Sequence, residues 1–428
     1  MEKFDAIVIG AGPSGSTAAA ILSKAGMNVL LLERGNPAGS KNVSGGILYT
    51  TAIKEVFPDF INSAPLERAI TDHHIVILGE NSSTTISYRK NDGSSPEIYS
   101  VLRADLDRWF AKRAEEFGAT VITGITVDEI KVTNGRAIGI RAGQDELLAD
   151  ILIIAEGARR LLINRSGLQI GVQSHEFSLG IKEIISLPEN VINERFQCDA
   201  STGVAYTLLG HTGGVYGGGF IYTNKSSLSL GVVIKVDSLV KSGVQPHTIL
   251  DCFKAHPLVS RLIQGGRVEE YSAQIVPRGK FPPSSKIFGN GYVVVGSAAQ
   301  LLLNNIFTLR GMDFAIISGA IAAKAILEAR EEGGKYDAEG LSRYETYLKQ
   351  TSIYRDWEAF KNTYYLLENK RIFEIYPDAI CNVLDKLFHP NDNPTPKILN
   401  LLRHEIKGKI SLLNVFQDAF QVMKGIGL

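Results

Sequence analysis

The first 33 residues change their hydrophobic spacing twice, which predicts a strand, a helix and a second strand. Residues 4–9 and 29–32 are short apolar runs, and residues 15–25 between them have helical spacing. The glycine-rich turn GAGPSG joins the first run to the helix. This order of elements is a βαβ unit.

Later parts of the chain show the same two spacings in longer blocks. Apolar residues recur every four positions from Leu102 to Ala114, which predicts a helix over 99–118. Residues 170–280 alternate β-rich runs with glycine-rich turns, so we expect a second sheet inserted between parts of the first domain. The other predicted elements are strands at 120–122, 127–132 and 137–141, a strand beginning at 292, a long helix over 311–330, and helices beyond 336.

Composition and charge narrow the functional classes. The 428 residues, 44% hydrophobic and 21% charged, indicate a globular chain of two to four domains or one large enzyme domain. Lys+Arg and Asp+Glu are both 45, so no net charge points to nucleic acid. The three cysteines, Cys198, Cys252 and Cys381, are far apart, which argues against a disulfide scaffold or a cysteine-ligated cluster.

Two features bear on localisation. A strand begins almost at the N-terminus, which leaves no room for a signal peptide. The apolar stretch 312–329 contains Asp313 and Lys324 and is too short and too polar to span a bilayer. We therefore expect a cytoplasmic protein without a transmembrane helix.

The glycine-rich turn has the spacing of a dinucleotide-binding fingerprint. Gly10, Gly12 and Gly15 form G-x-G-x-x-G, which suits a tight turn, close approach of a pyrophosphate and close helix packing. The helix N-terminus adds free N–H groups for the phosphates. Glu33 ends the second strand, where an acid can bind a ribose 2′-OH. The sequence therefore predicts that this domain binds a dinucleotide.

Three further motifs resemble those of FAD flavoproteins built like the aromatic hydroxylases and geranylgeranyl reductases. VLRADLDRWFAKRAEEFGA (101–119) resembles the helix whose arginine, here Arg103, reaches the cofactor. ADILIIAEGARR (149–160) resembles the strand and turn beside the flavin, with Glu156 where an Asp is usual. GNGYVVVGSAAQ (289–300) resembles the second FAD motif, but Ser297 replaces its acid and offers a hydrogen bond without charge assistance.

A narrower resemblance is to electron-transfer flavoprotein–quinone oxidoreductases, particularly their Fix-type branch. It rests on GSKNVSGGIL (39–48), FTLRGMDFAIISG (307–319) and YGGGFIYTNKSSLSLGVVI (216–234), and it covers about the first 340 residues. The resemblance implies that the glycines of the first motif let backbone N–H groups face the flavin ring. The residues that it implies for cofactor binding are Gly10, Gly12, Pro13, Ser14, Gly15, Glu33, Arg34, Lys41, Ser44, Gly45, Gly46, Arg103, Val127, Glu156, Gly157, Gly296, Ser297, Gly311 and Met312.

The resemblance also implies an architecture. We expect an α/β fold with a discontinuous Rossmann-like FAD-binding domain, an inserted antiparallel β-sheet substrate domain and a helical C-terminal extension. The expected limits are 1–75, 100–168 and 285–335 for the FAD domain, 76–99 and 169–284 for the substrate or quinone domain, and 336–428 for the helical region.

The implied activity is electron transfer from reduced electron-transfer flavoprotein, the donor, through FAD to a membrane quinone. No side chain is expected to act as a catalytic acid or base, because the flavin is the reactive group. Larger relatives carry a [4Fe–4S] cluster on the same chain. Here we expect the cluster on a separate ferredoxin-like iron–sulfur subunit, no metal on this chain, and a peripheral position on the cytoplasmic face of the membrane.

Several residues have both a functional and an ordinary interpretation. Lys41 either tunes the flavin potential or is a solvated loop lysine. The glycines 217–219, with Gly218 at the centre, either leave room for a quinone or form a β-bulge. Tyr222 and His211 either donate a hydrogen bond to the quinone or serve packing and solvation respectively.

The C-terminal residues form an apolar helical stripe with basic neighbours, and we expect a break near Gly408. This pattern fits either a membrane surface or a contact between domains or subunits. The members of the stripe are Leu399, Leu402, Ile406, Ile410, Leu413, Phe416, Phe420 and Met423.

Two rival functions stay open at this point. A prenyl reductase of the geranylgeranyl type shares the implied fold and would need a long apolar tunnel for its substrate. A non-catalytic flavin-binding subunit of an electron-transfer complex is the other alternative, suggested by the loss of the acid at Ser297.

Overall fold

A computed structural model describes residues 3–42, 45–90, 92–94, 96–168, 173–212, 215, 217–283, 286–389, 394 and 396–426. Ser44, one of the predicted cofactor contacts, lies outside these residues. The strands are β1 (Lys3–Ile9), β2 (Val29–Glu33), β3 (Gly45–Tyr49), β4 (Leu66–Leu78), β5 (Ser83–Arg89), β6 (Ile98–Leu102), β7 (Thr120–Thr123), β8 (Glu129–Thr133), β9 (Arg136–Ala142), β10 (Asp145–Ile154), β11 (Phe177–Ser186), β12 (Thr202–Gly210), β13 (Gly217–Thr223), β14 (Ser227–Lys235), β15 (Arg267–Pro277), β16 (Phe288–Gly289), β17 (Tyr292–Val294), β18 (Leu303–Asn304) and β19 (Leu309–Arg310).

The helices lie mostly in the N-terminal domain and beyond residue 311. They are α1 (Pro13–Lys24), α2 (Thr51–Val56), α3 (Phe60–Ser63), α4 (Arg103–Glu116), α5 (Leu161–Arg165), α6 (Glu189–Phe196), α7 (Val236–Ser242), α8 (Pro246–Ala255), α9 (Pro257–Ile263), α10 (Met312–Glu331), α11 (Ala338–Leu341), α12 (Arg343–Gln350), α13 (Ser352–Ala359), α14 (Thr363–Leu366), α15 (Arg371–Glu374), α16 (Tyr376–Phe388), α17 (Ile398–Ile406) and α18 (Leu412–Gly425).

The first sheet is a Rossmann-like parallel core. Its strand order is β16-β17-β10-β1-β2-β7, and the β8–β9 hairpin pairs with β10. Strands β17, β10, β1, β2 and β7 run parallel, so their carboxyl ends share one edge. The central strands are apolar and buried because α1 packs on the sheet and α10 packs against α1.

The second sheet has the order β15-β11-β14-β13-β12-β4-β6-β3, with β5 paired to β4. Its pairs are antiparallel except for the parallel pair β12–β4. One face forms a separate hydrophobic core, which includes residues of α6, α8 and α9. The other face looks toward the nucleotide-binding domain.

The helical C-terminal region is attached to both sheets. Trp357 of α13 is fully buried against Phe281 and Phe314, at ring distances of 5.1 and 5.9 Å, and its indole N–H donates to the Gly279 carbonyl at 2.9 Å. Helix α16 contacts β4 and β12. Within the described residues, no helix is long and apolar enough to cross a membrane.

The predicted fold class is confirmed, with two corrections. Residues 99–102 form strand β6 rather than the start of a helix, because they pair with β3 and β4. The predicted boundary at residue 75 lies inside β4, and β3 also joins the second sheet, so this sheet takes up segments assigned to the FAD domain. The other domain limits stay a prediction.

Candidate functional site

The turn after β1 has the geometry that its glycines predict. Gly10 has φ +107°, a conformation that favours glycine, and a Cβ there would lie 2.4 Å from the Ala155 carbonyl oxygen. A Cβ on Gly15 would lie 2.0 Å from the Gly10 oxygen, so α1 packs directly against the turn. Nothing lies within 4 Å of the Cβ direction of Gly12. The open space beside this helix N-terminus can therefore hold an anionic group.

Glu33 organises the same turn. Its carboxylate accepts hydrogen bonds from the backbone N–H groups of Ala11 at 3.0 Å and Gly35 at 2.7 Å. Each oxygen keeps acceptor capacity, so ribose hydroxyls can still donate to it. Arg34 is exposed, and Val127 is buried just after a segment whose Ile125 N–H donates to the Glu33 carbonyl.

Glu156 has a local structural role that sequence reasoning missed. Its carboxylate accepts from the N–H groups of Leu162 at 2.8 Å and Ile163 at 2.9 Å, at the start of α5. Burial raises the pKa of Glu156. The Glu is one methylene longer than the Asp usual in the resembled family, and this length lets it reach the helix. Gly157 beside it leaves open space.

The end of β17, helix α1 and helix α10 meet around Gly296. Its N–H donates to the Ser318 hydroxyl at 2.9 Å, and a Cβ there would lie 2.6 Å from the Ser14 hydroxyl oxygen. Ser297 follows and is partly exposed. Gly311 immediately precedes α10, whose first residue is Met312. The structure therefore brings these predicted residues to one edge of the first sheet.

The glycine-rich loop enters β3 and is attached to the second sheet. A Cβ on Gly45 would lie only 1.6 Å from the Ser229 hydroxyl oxygen, and one on Gly46 would lie 3.1 Å from the Met312 methyl carbon. The Lys41 carbonyl accepts from the Gln274 side chain at 2.6 Å, while the Lys41 side chain is exposed. The close approach of Ser229 therefore requires glycine at position 45, whether or not a cofactor is bound.

Arg103 is held in a fixed orientation at the start of α4. Its Nε and one terminal nitrogen each donate at 2.9 Å to the two oxygens of Asp107, which is 1% exposed. The Asn42 side chain donates to the same carboxylate at 2.6 Å. This bidentate pair leaves the remaining guanidinium N–H groups available for another acceptor.

An apolar pocket of about 130 Å³ lies on the side of the second sheet that faces the loop. Residues 47–49 of β3 form one wall, residues 304–309 before α10 form another, and β12 and β13 form the floor. The pocket therefore adjoins both the glycine-rich loop and the N-terminus of α10. The floor and walls include Gly218, Phe220, Tyr222, Thr207, Ile47 and Tyr49.

The glycines 217–219 keep a regular register with β14, and Gly218 and Gly219 also keep one with β12, so the β-bulge interpretation is wrong. Gly218 faces the pocket. A Cβ on Gly219 would lie 2.4 Å from the Phe253 ring, on the opposite face. The missing side chain at Gly218 therefore leaves space in the pocket, and the one at Gly219 leaves space for the Phe253 ring.

Five titratable side chains line the pocket, of which only Tyr222 was predicted: Tyr49, His73, Tyr222, Lys235 and Arg278. Burial raises the pKa of Tyr222, and burial with the nearby Asp313 raises the pKa of Tyr49 to about 12. Burial lowers the pKa of His73. Both tyrosines are therefore protonated at neutral pH. The alternation of side chains along β4 could have identified His73 as a pocket residue, whereas no sequence pattern distinguished Tyr49.

A buried charge pair lies behind the pocket wall. Arg310 donates to Asp313 at 2.7 Å and to Asp356 at 2.8 Å, and its guanidinium stacks on the Tyr49 ring at 5.2 Å. The Asp313 side chain is fully buried. This pair fixes the first turn of α10 relative to β3.

His211 lies elsewhere, in a second cavity with Phe373 and Asp378. The three cysteines are free thiols in separate places. Across the described part of the chain, no group of three or more His, Cys, Asp or Glu side chains could hold a metal ion.

Comparisons with known proteins agree with this arrangement. A family model described as "ETF-QO, ubiquinone-binding" matches residues 177–276, and one described as "FAD dependent oxidoreductase" matches residues 5–74. A model of the "ETF-QO/FixC family C-terminal domain" matches residues 363–426. The pocket floor lies in the first of these regions.

Solved structures show the fold alone. The chain resembles a geranylgeranyl bacteriochlorophyll reductase-like protein from Thermoplasma acidophilum, with TM-score 0.71, 21% identity and coverage of 99% of this chain and 100% of the other. It also resembles the flavin-dependent brominase Bmp2, with TM-score 0.63, 17% identity and coverage of 98% of both chains.

Two curated relatives are more informative. The probable electron transfer flavoprotein-quinone oxidoreductase YdiS of Escherichia coli is 36% identical, with 98% of both chains covered. Protein FixC of Salmonella typhimurium is 38% identical, with 99% of both chains covered. The chain thus belongs to the ETF-QO/FixC family of FAD-dependent oxidoreductases.

Proposed function

We propose that this chain passes electrons from reduced electron-transfer flavoprotein, through bound FAD, to a membrane quinone. One observation carries the proposal. The apolar pocket lies between the strand that follows the glycine-rich loop and the hairpin that precedes α10, so a quinone in it would adjoin the flavin. The match of residues 177–276 to a ubiquinone-binding model supports the same site.

FAD would lie extended along the carboxyl edge of the first sheet. The turn at Gly12 and the N-terminus of α1 would hold the pyrophosphate, and Glu33 would accept from the adenosine ribose. Arg103, fixed by Asp107, would donate toward the cofactor between its two ends. When bound, FAD supplies the redox chemistry because it can exchange electrons singly or in pairs.

The pocket supplies what a quinone head group requires. Its walls are largely apolar, and the two tyrosine hydroxyls keep their protons at neutral pH. A neutral hydroxyl can donate to a quinone carbonyl without adding a further charge to the pocket. Tyr222 is the preferred donor because it lies on the floor, stacked at 4.8 Å against Phe220.

The partners follow from the family. The name of the relative YdiS supports an electron-transfer flavoprotein as donor. The resemblance to the Fix-type branch supports a separate ferredoxin-like subunit that carries a [4Fe–4S] cluster.

The C-terminal helices support a peripheral membrane contact on the cytoplasmic face. Helix α18 buries Asp418, which pairs with Arg371 at 2.6 Å, while its large apolar side chains point outward. The exposed apolar residues of α17 and α18 are Ile398, Leu399, Leu412, Leu413, Phe416, Phe420 and Met423. Basic residues flank them, as expected for a helix on an anionic bilayer.

The quinone site is tested by steady-state reduction of a soluble ubiquinone analogue by the FAD-loaded protein. Tyr222→Phe should lower kcat/KM for the quinone about tenfold, the scale of one lost hydrogen bond in a buried site. Tyr271→Phe is the matched control, because Tyr271 is a half-exposed tyrosine of edge strand β15 that does not line the pocket. Equal activity of the two variants would refute the site. Reduction of a geranylgeranyl substrate instead of the quinone would establish the rival function.

The membrane surface is tested by sedimentation with vesicles that contain phosphatidylserine. Phe416→Ser with Phe420→Ser should release the protein from the vesicles while FAD stays bound. These substitutions are preferable to removing residues 397–428, because truncation would also leave Arg371 without its buried partner. Retention of the double variant on the vesicles would contradict the proposal.

A further inference from the structure

Lys182 lies on the face of the second sheet that meets the glycine-rich loop. On β11 it pairs with Gly231 of β14 and Ser272 of β15, so all three point to one side. Ser229, two residues from Gly231 on β14, contacts Gly45. Gln274, two residues from Ser272 on β15, donates to the Lys41 carbonyl. Lys182 is therefore bracketed by the two side chains that attach the loop to the sheet.

The surroundings make room for this side chain. Gly180 precedes it on the same face, and the Lys182 Cε lies 3.2 Å from the position that a Gly180 Cβ would occupy. The residue opposite is also a glycine, Gly231. The lysine stem can therefore lie flat on the sheet and extend into the cleft.

The charge of Lys182 acts together with that of Arg103. Arg103 is near enough to disfavour the charged lysine, and burial with this neighbour lowers the pKa of Lys182 to about 8. Both carboxylate oxygens of Asp107 accept hydrogen bonds from Arg103. Glu183, the next residue of β11, points to the other face and pairs with Lys254 at 3.0 Å. Two cationic side chains, Lys182 and Arg103, thus lie close together beside the loop.

We propose that Lys182 stabilises the negative charge of the reduced flavin and so raises the reduction potential of the bound FAD. This inference rests on the proposed path of FAD along the loop. Reduction by two electrons and one proton leaves one negative charge on the flavin. Lys182 transfers no proton to the flavin. Its ammonium group acts only through its positive charge, from the side of the cleft opposite the loop. Lys41, with its exposed side chain, is the rival for this role.

The test is the midpoint potential of the FAD-loaded protein, measured anaerobically at pH 7 by equilibration with reference dyes. Lys182→Met should lower the ratio of reduced to oxidised FAD at a fixed potential about tenfold, which corresponds to about 30 mV for a two-electron couple. Lys182→Arg should restore most of the ratio, because it keeps the charge. Lys241→Met is the control, since it removes an exposed lysine of the same domain.

Each result decides the inference. A wild-type potential in FAD-loaded Lys182→Met overturns it, as does a larger shift in Lys41→Met. If the methionine variant does not retain FAD, Lys182→Gln is measured against the same criterion, and failure of both to retain FAD assigns Lys182 to binding instead. A protein that shows the predicted shift but reduces no quinone refutes the proposed function and leaves this inference standing.

Discussion

Replacing Arg310 by methionine tests whether the buried ion pair holds α10 against the pocket wall. The substitution keeps most of the apolar stem but removes the cation 2.7 Å from a fully buried Asp313 carboxylate. Removing one partner of a buried pair costs about 3–5 kcal/mol, because the remaining charge is left uncompensated. Tyr49 also loses the guanidinium that stacks on its ring.

The cost should depend on pH in a defined direction. Burial already raises the pKa of Asp313, and loss of Arg310 removes an interaction that lowers it. A carboxyl with a raised folded-state pKa favours folding at low pH and loses that contribution as pH rises through the folded pKa. The difference in unfolding free energy between wild type and Arg310→Met should therefore be larger at pH 8 than at pH 5.

The assay is urea unfolding of the flavin-free protein, followed by circular dichroism. Arg310→Met with Asp313→Asn should recover at least half of the loss, because the buried charge is then gone. Arg267→Met is the control, since Arg267 pairs with Glu269 at an exposed site, where solvent screens the two charges. A loss below about 1 kcal/mol in the single variant, or no recovery in the double variant, refutes the reasoning.

Two further predictions concern the loop and the cleft. Gly45→Ala should lower the unfolding free energy by about 1–3 kcal/mol, because its Cβ would lie 1.6 Å from the Ser229 hydroxyl. Ser229→Gly in the same chain should restore most of the thermal stability. Folding lowers the pKa of Lys182 to about 8, so between pH 8 and pH 10 the folded lysine loses a proton that the unfolded lysine keeps. The unfolding free energy of the flavin-free protein should therefore rise over this range, by up to about 3 kcal/mol. Lys182→Met should abolish this rise in a pH series of thermal melts.

The nucleotide-binding half of the fold could be predicted because its signals are local. The roles of Gly10 and Gly15 depend on a turn of a few residues, and their spacing already specifies a tight turn and a close helix. The same holds for the long helix that begins at Met312 and for the break near Gly408, which separates α17 from α18. In these cases the sequence pattern and the structure describe the same short segment.

The site could not be predicted in the same way, because its geometry depends on contacts between residues that are far apart in the sequence. Residues 99–102 have helical spacing but form β6, because pairing with β3 and β4 outweighs local propensity. Glycine at position 45 is required by Ser229, which lies in a different domain segment. Tyr49 and Lys182 gain their shifted pKa values only from burial and from charges on distant segments.

The central claim is that FAD in this chain reduces a quinone bound in the pocket of the second sheet. The most direct measurement is anaerobic stopped-flow mixing of the photoreduced FAD-loaded protein with a soluble ubiquinone analogue, following the return of oxidised flavin absorbance. We expect a rate that saturates with quinone concentration, and half-saturation at a higher concentration in Tyr222→Phe than in the wild type. A rate no faster than that in buffer without quinone, or one that rises linearly without saturation in both proteins, would contradict the claim.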